Sequence, residues 1–133
     1  MRHRLLQILS KRFPALLWTI FIFILLTIPG KMLPKEDLFI PNLDKFIHVF
    51  LFGSFVFLWC MYYASKQGKD DHLKYLFIRI LVIGCLYGIG LEFIQKYFIP
   101  NRDFDIYDIV ADTLGAIAGF LIVRRTVDMR KKS

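Results

Sequence analysis

Four long runs of the chain are almost free of charge, and they alternate with short segments where charged and helix-breaking residues gather. The first covers about residues 14–28, PALLWTIFIFILLTI. Pro14 suits a helix start, and Pro29-Gly30 ends the run. The second covers about 44–64, with Asp44, Lys45 and His48 at its beginning. The third, about 75–98, carries Arg79 near one end and Glu92 and Gln95 near the other. The fourth covers about 105–123. Each is near the roughly 20 residues a helix needs to cross a bilayer. In lipid a helix satisfies its own backbone, which a lone strand cannot do. The predicted fold is therefore all-α: a polytopic membrane protein, a four-helix transmembrane bundle, with residues 1–133 as a single domain. Between the first two runs, Pro29, Pro34 and Pro41 forbid a continuous helix. Leu38, Phe39 and Ile40 in that connection are expected to lie in the membrane interface. The basic tail VDMRKKS is expected to fray.

Composition agrees with lipid as the solvent. Hydrophobic residues make up 56% of 133, and the mean hydropathy is +0.51. A soluble domain of this size must cover its surface with polar groups. The net charge of +7 would point to nucleic acid in a soluble protein. Here it sorts by side of the membrane, so no nucleic-acid partner is expected. Arg2, Arg4, Lys11, Arg12, Lys66, Lys69, Lys74, Arg79, Arg124, Arg125, Arg130, Lys131 and Lys132 fall on one side. Lys31, Lys35, Lys45, Lys96 and Arg102 fall on the other. The richer side belongs in the cytoplasm, which gives an N-in, C-in chain with membrane lipid as its first partner. The basic N-terminal segment reads as an uncleaved anchor, because no small-residue cleavage site follows it and three more spans do. Cys60 and Cys85 sit inside apolar runs without metal-ligand spacing and read as small buried hydrophobes.

The acids run the opposite way. Glu36, Asp37, Asp44, Glu92, Asp103, Asp105, Asp108 and Asp112 lie on or near the outer face. On the fourth span Asp105, Asp108, Asp112, Gly115 and Gly119 are spaced 3, 4, 3, 4, which puts them on one helix face. Gly115 to Gly119 is a GxxxG pattern that lets another helix approach closely. On the third span Gly84, Gly88 and Glu92 are four apart, with Gln95 one turn further out. The two glycine seams are expected to pack against each other, with Arg102 in the connection beside the carboxylates. Asp44 and His48 share a face at the outer end of the second span. The candidate binding cluster is Asp44, His48, Glu92, Gln95, Arg102, Asp105, Asp108 and Asp112; the helix-packing set is Gly84, Gly88, Gly115 and Gly119. Ionisable groups inside a span usually face a wet cavity or a partner. Plainer roles compete: helix capping for Asp105, and a structural counter-ion for Arg102. One arginine cannot neutralise all these acids, so a protonated acid or a second cation such as Lys45, His48 or a ligand amine completes the cluster.

At these residues the chain resembles the VanZ-like family of small bacterial integral membrane proteins. The resemblance rests on Asp44-Lys45-x-x-His48, Glu92-x-x-Gln95, Arg102, Asp105, Asp108, Asp112, Gly115 and Gly119, and it spans the second to fourth runs. The chain departs from the family at Asp112, where Asn is common, and the acid makes the cluster more negative. The resemblance implies a multi-span fold in a bacterial cytoplasmic membrane and an association with glycopeptide resistance, but no defined reaction.

Two function classes lead. In the first, the outer-face pocket binds or modifies a cell-envelope molecule: a lipid headgroup, a wall precursor or a glycopeptide. A catalytic version would use His48 or Glu92 as general base. No serine or cysteine nucleophile, phosphate-cradling loop or metal-ligand set accompanies them, and no cofactor is expected. In the second, the chain is a structural or accessory subunit whose polar cluster is an internal salt-bridge network, with a homo-oligomer or membrane partner held by the glycine seams. A transporter ranks last, because no inner polar residues continue the cluster across the membrane.

Overall fold

The computed structural model describes residues 2–32, 42–66 and 72–132. Among them are five α-helices and no strand: α1 (Arg2–Leu9), α2 (Arg12–Leu26), α3 (Leu43–Lys66), α4 (His72–Phe98) and α5 (Ile106–Lys132), with a short 3-10 turn at Gly30–Met32. The apolar interface segment expected at Leu38–Ile40 lies outside the described residues.

Three of the four predicted spans are helices long and apolar enough to cross a membrane: Leu43–Lys66, His72–Phe98 and Ile106–Met129. A helix of 24 residues measures about 36 Å at 1.5 Å per residue, more than the roughly 30 Å of a hydrocarbon core. The first predicted run, 15 residues long, forms α2, which is also 15 residues but begins and ends two residues earlier and is about 22 Å long. Its end is fixed at Thr27, whose amide and hydroxyl both turn back to the carbonyls of Phe23 and Ile24. The basic tail also differs from expectation. α5 continues to Lys132, because Val123 and Val127 are one turn apart and both are buried in the core.

The helices run up and down. Gly30 N–H donates to the Pro100 carbonyl, so the exits of α2 and α4 meet at one end. Ser65 Oγ donates to the Ser10 carbonyl, so the end of α3 meets the start of α2 at the other. α3 is the centre of the bundle. It buries Leu51, Phe52, Phe55, Val56, Leu58, Cys60 and Met61, against Ile22 and Leu26 of α2, Phe77, Ile80 and Leu91 of α4, and Ala116 and Val123 of α5. Polar tips stitch α2 inward: Trp18 Nε1 donates to the Leu51 carbonyl and Tyr87 Oη to the Thr19 carbonyl. The outward faces carry Ile20, Ile24, Ile83, Leu86, Leu114 and Leu121, all exposed. An apolar belt of this extent on three helices is the surface that acyl chains cover.

The glycine seams are real, but their partners differ from the prediction. Gly115 and Gly119 of α5 pack on α3, not on α4. A Cβ on Gly115 would collide with the Val49 carbonyl, and one on Gly119 with the Gly53 carbonyl. Gly53 itself faces the Gly115 carbonyl at 3.0 Å from an added Cβ. α4 contributes Gly84 against Val56 and Phe55 of α3, and Gly88 against Asp112 of α5. Without a hydrophobic force between helices in lipid, this backbone-to-backbone approach is what associates them. Gly53 is a lone glycine in its span, without a GxxxG partner to reveal it.

Candidate functional site

At the end where α2 and α4 exit, the first turns of α3 and α5 and the last turns of α4 bring their polar residues together. Lys45 is the hub. Its Nζ donates to Asp44 Oδ2 at 2.7 Å, Asp105 Oδ2 at 2.5 Å and Asp108 Oδ1 at 2.6 Å. One turn deeper, His48 Nδ1 lies 2.8 Å from Asp112 Oδ1. His48, Glu92 and Asp112 are 5%, 1% and 2% exposed. The other imidazole nitrogen, Nε2, points toward Asp108, 3.7 Å from its Oδ2. Glu92 Oε2 accepts the Asp105 amide at 3.0 Å, which ties α4 to the start of α5.

Asp105 serves two purposes. It is the residue before α5, and its Oδ1 accepts the Tyr107 amide at 2.8 Å, the N-cap bond that satisfies a free helix N–H. Its other oxygen takes Lys45. The hydrogen bond from Lys45, aided by the Tyr107 amide, holds the Asp105 carboxyl below the ordinary carboxylate range. Gly88 explains how Asp112 can be buried. A Cβ at position 88 would stand 2.6 Å from Asp112 Oδ2, so only glycine leaves room for the carboxylate between α4 and α5.

Two of the eight predicted cluster residues are turned elsewhere. Gln95 Nε2 donates to the Leu26 carbonyl at 2.7 Å, and Arg102 Nη2 lies 3.5 Å from the same oxygen. Both serve the C-terminus of α2, whose last carbonyls have no partner within the helix. Among the described residues Arg102 makes no ion pair with a carboxylate; Lys45 takes that role. The sequence carried the signal, since Lys45 is three residues before His48 on the same helix face. Asp44 is exposed and reaches the cluster only through Lys45.

Among the described residues, the cluster joins five carboxylates to one lysine and one histidine. Such a site can recognise cationic or hydroxyl-bearing groups. The His48–Asp112 pair also has the arrangement of a general base, an imidazole oriented by a buried carboxylate. One ligand atom from each of His48, Glu92 and Asp108 lies within 4.8 Å of the others, and the same holds for Asp44, Asp105 and Asp108. The two cysteines are free and take no part.

No solved structure matches the chain. Among curated proteins it is 35% identical, over 85 residues, to the uncharacterized protein C11E3.10 of Schizosaccharomyces pombe. That stretch is 62% of this chain and 48% of the yeast protein, so the chain spans about half the length of this relative. A yeast relative means that the likeness does not by itself assign a bacterial membrane. The family model described as VanZ/LLP1 matches residues 10–127, nearly the whole described bundle, including every residue of the polar cluster: the chain belongs to the VanZ/LLP1 family.

Proposed function

We propose that this multi-pass membrane protein presents the polar cluster at the outer face, with both termini in the cytoplasm, and that the cluster binds or modifies a cell-envelope molecule. The candidate ligands are a lipid headgroup, a wall precursor or a glycopeptide carrying an amine or hydroxyl groups. The observation that carries the reading is the burial of His48, Glu92 and Asp112 from three different helices on one patch. Buried ionisable groups in a membrane bundle are expensive and usually functional. The carboxylates outnumber the cations that meet them, so the patch favours a positively charged partner. A shallow depression of about 410 Å³ lined by Leu121, Ile122, Arg124, Arg125 and Asp128 lies at the far end of α5 and is not part of this reading.

A structural reading is favoured by one specific observation: Lys45 pairs with three carboxylates at once, as an internal network would. The two separate on Glu92→Gln and Asp112→Asn. A binding site predicts folded, inserted protein that no longer supports the envelope phenotype of cells expressing it, because neutral isosteres relieve like-charge crowding. A structural network predicts that thermal stability and phenotype fall together. If the phenotype survives both changes, the cluster is not the functional site. Orientation is tested by cysteine labelling with Cys60 and Cys85 replaced by alanine. A cysteine at Asn101 is expected to label from outside and one at Gly68 not to; the reverse would move the cluster to the cytoplasm.

A further inference from the structure

We infer that His48, Glu92 and Asp108 form a binding site for one divalent first-row transition ion, of the Zn²⁺ or Mn²⁺ class. The three residues come from α3, α4 and α5, which is why no spacing along the chain reveals them. Their ligand atoms lie within 4.8 Å of one another. Donors about 2.1 Å from a common ion stand roughly 3.0–3.5 Å apart, and His48 Nε2 and Asp108 Oδ2 are already at 3.7 Å.

Each ligand is held from behind by a different group. His48 Nδ1 faces Asp112 Oδ1, and an ionised Asp112 can only accept, which puts the proton on Nδ1. In the neutral imidazole that leaves the Nε2 lone pair facing the cluster. Asp108 has Oδ1 on Lys45 and Oδ2 turned toward the imidazole. Glu92 has Oε2 on the Asp105 amide. An outer partner that fixes tautomer and orientation is the usual companion of a metal-ligating histidine or carboxylate.

The second observation concerns the imidazole itself. His48 is 5% exposed, and among the described residues its Nε2 makes no hydrogen bond. That nitrogen faces Asp108 Oδ2 at 3.7 Å, within the group of ligand atoms that Glu92 completes. Glu92, at 1% exposure, has a single hydrogen bond for two oxygens among the described residues. A dication would take the open imidazole nitrogen and offset carboxylates that Lys45 alone does not neutralise. One nitrogen and two oxygens suit borderline and harder ions better than a thiolate-seeking one. The second acidic group, Asp44, Asp105 and Asp108, lacks these features. Asp44 is exposed there, and Lys45 already bridges all three. An ion at His48 would bind whether or not an envelope molecule docks on the cluster.

The test uses the full chain in lipid nanodiscs, stripped with a chelator and dialysed against Zn²⁺ or Mn²⁺, with bound metal measured by mass spectrometry. About one ion per chain is expected for the wild type. His48→Gln, Glu92→Gln and Asp108→Asn are expected to abolish saturable uptake. Asp112→Asn, which loosens the orienting partner, is expected to weaken it by about 10- to 100-fold. Asp44→Asn should leave it unchanged. For any variant that fails to fold, the wild type still decides by nitrogen NMR: Zn²⁺ should shift the Nε2 resonance of His48 and leave Nδ1 protonated. The site is overturned by absence of saturable uptake, by uptake that His48→Gln and Glu92→Gln both leave intact, by Asp44→Asn matching His48→Gln, or by ligation through Nδ1.

Discussion

α3 and α5 meet in two ways along one contact. In the middle of the bundle they meet backbone to backbone, through Gly53, Gly115 and Gly119. At the end where α2 and α4 exit they meet through charge, with Lys45 on Asp105 and Asp108, and His48 on Asp112. The two zones are in register. The carbonyl against Gly115 belongs to Val49, the neighbour of His48, and Asp112 is one turn above Gly115. The seam fixes how far apart the helices stand, and the polar contacts inherit that distance. A seam can hold without the charges, because it needs only small residues. The charges cannot converge without the seam. The relation is one-way, and substitutions can break it at either zone.

The largest effect is expected from the seam. Gly115→Leu puts a side chain where the Val49 carbonyl stands, and α3 must retreat. Overpacking a close contact costs about 1–3 kcal/mol, occasionally more, and backbone cannot give way as a side chain does. Loss of about 3 kcal/mol or more is expected, with loss of the cluster's function in the same protein. Leu114→Phe, on the exposed face next door, should melt like wild type. Size-exclusion profiles and thermal melts of the two variants check this. Equal behaviour would show that Gly115 is not a helix contact.

Gly88 gives a smaller and more selective effect, because it belongs to the seam of α4 but serves the cluster. An alanine there meets Asp112 Oδ2 at 2.6 Å and Asp112 Cβ at 3.0 Å. The carboxylate must swing away from His48. About 1–3 kcal/mol of destabilisation is expected, together with loss of the His48–Asp112 pair. A double-mutant cycle sharpens the point. If Gly88 acts through Asp112, Gly88→Ala should cost much less on an Asp112→Ala background, with coupling of about 0.5–3 kcal/mol. Additive costs would assign Gly88 to packing alone.

The two zones also differ in what the sequence reveals of them. The 3, 4, 3, 4 spacing on α5 identifies the inward face, because helical periodicity is local. It does not identify the helix that the face meets, and the expected partner, α4, is instead α3. Gly53 has no partner within its own helix and so gives no local sign. Within the cluster, Asp105, Asp108, Asp112, Glu92 and His48 are legible as charges inside apolar runs. Which cation meets them is legible only in part: Lys45 shares a helix face with His48, but Arg102 is as near the same helix ends by sequence. A helix end decided between them, since the last carbonyl of α2 draws Arg102 and Gln95 away. Helix ends are also where bounds moved. α2 ends two residues before the predicted run, at the Thr27 turn, and α5 runs on because Val127 still finds the core.

The smallest effect, at the outermost residue of the stripe, separates capping from charge. Asp105 caps α5 through Oδ1 and pairs with Lys45 through Oδ2. Asp105→Ala removes both, and about 1 kcal/mol is expected for the cap. Asp105→Asn keeps an acceptor for the Tyr107 amide and loses only the ion pair, which is worth roughly 0–1 kcal/mol at a part-exposed site. pH then isolates the charge. The Asp105 carboxyl in the folded protein lies below its ordinary value of 3.8, mainly through Lys45. A depressed value stabilises the fold above the ordinary value, and that contribution drains away as pH falls through the folded one. The wild type should therefore melt slightly above Asp105→Asn from pH 7 down to about pH 5, and the gap should close as pH falls below about 4. Asp105→Ala should stay below Asp105→Asn throughout, because the cap does not titrate in the variant. A gap that widens in acid would mean that Lys45 does not hold this carboxylate in the folded chain, and the charged zone would then rest on Asp108 and His48 alone.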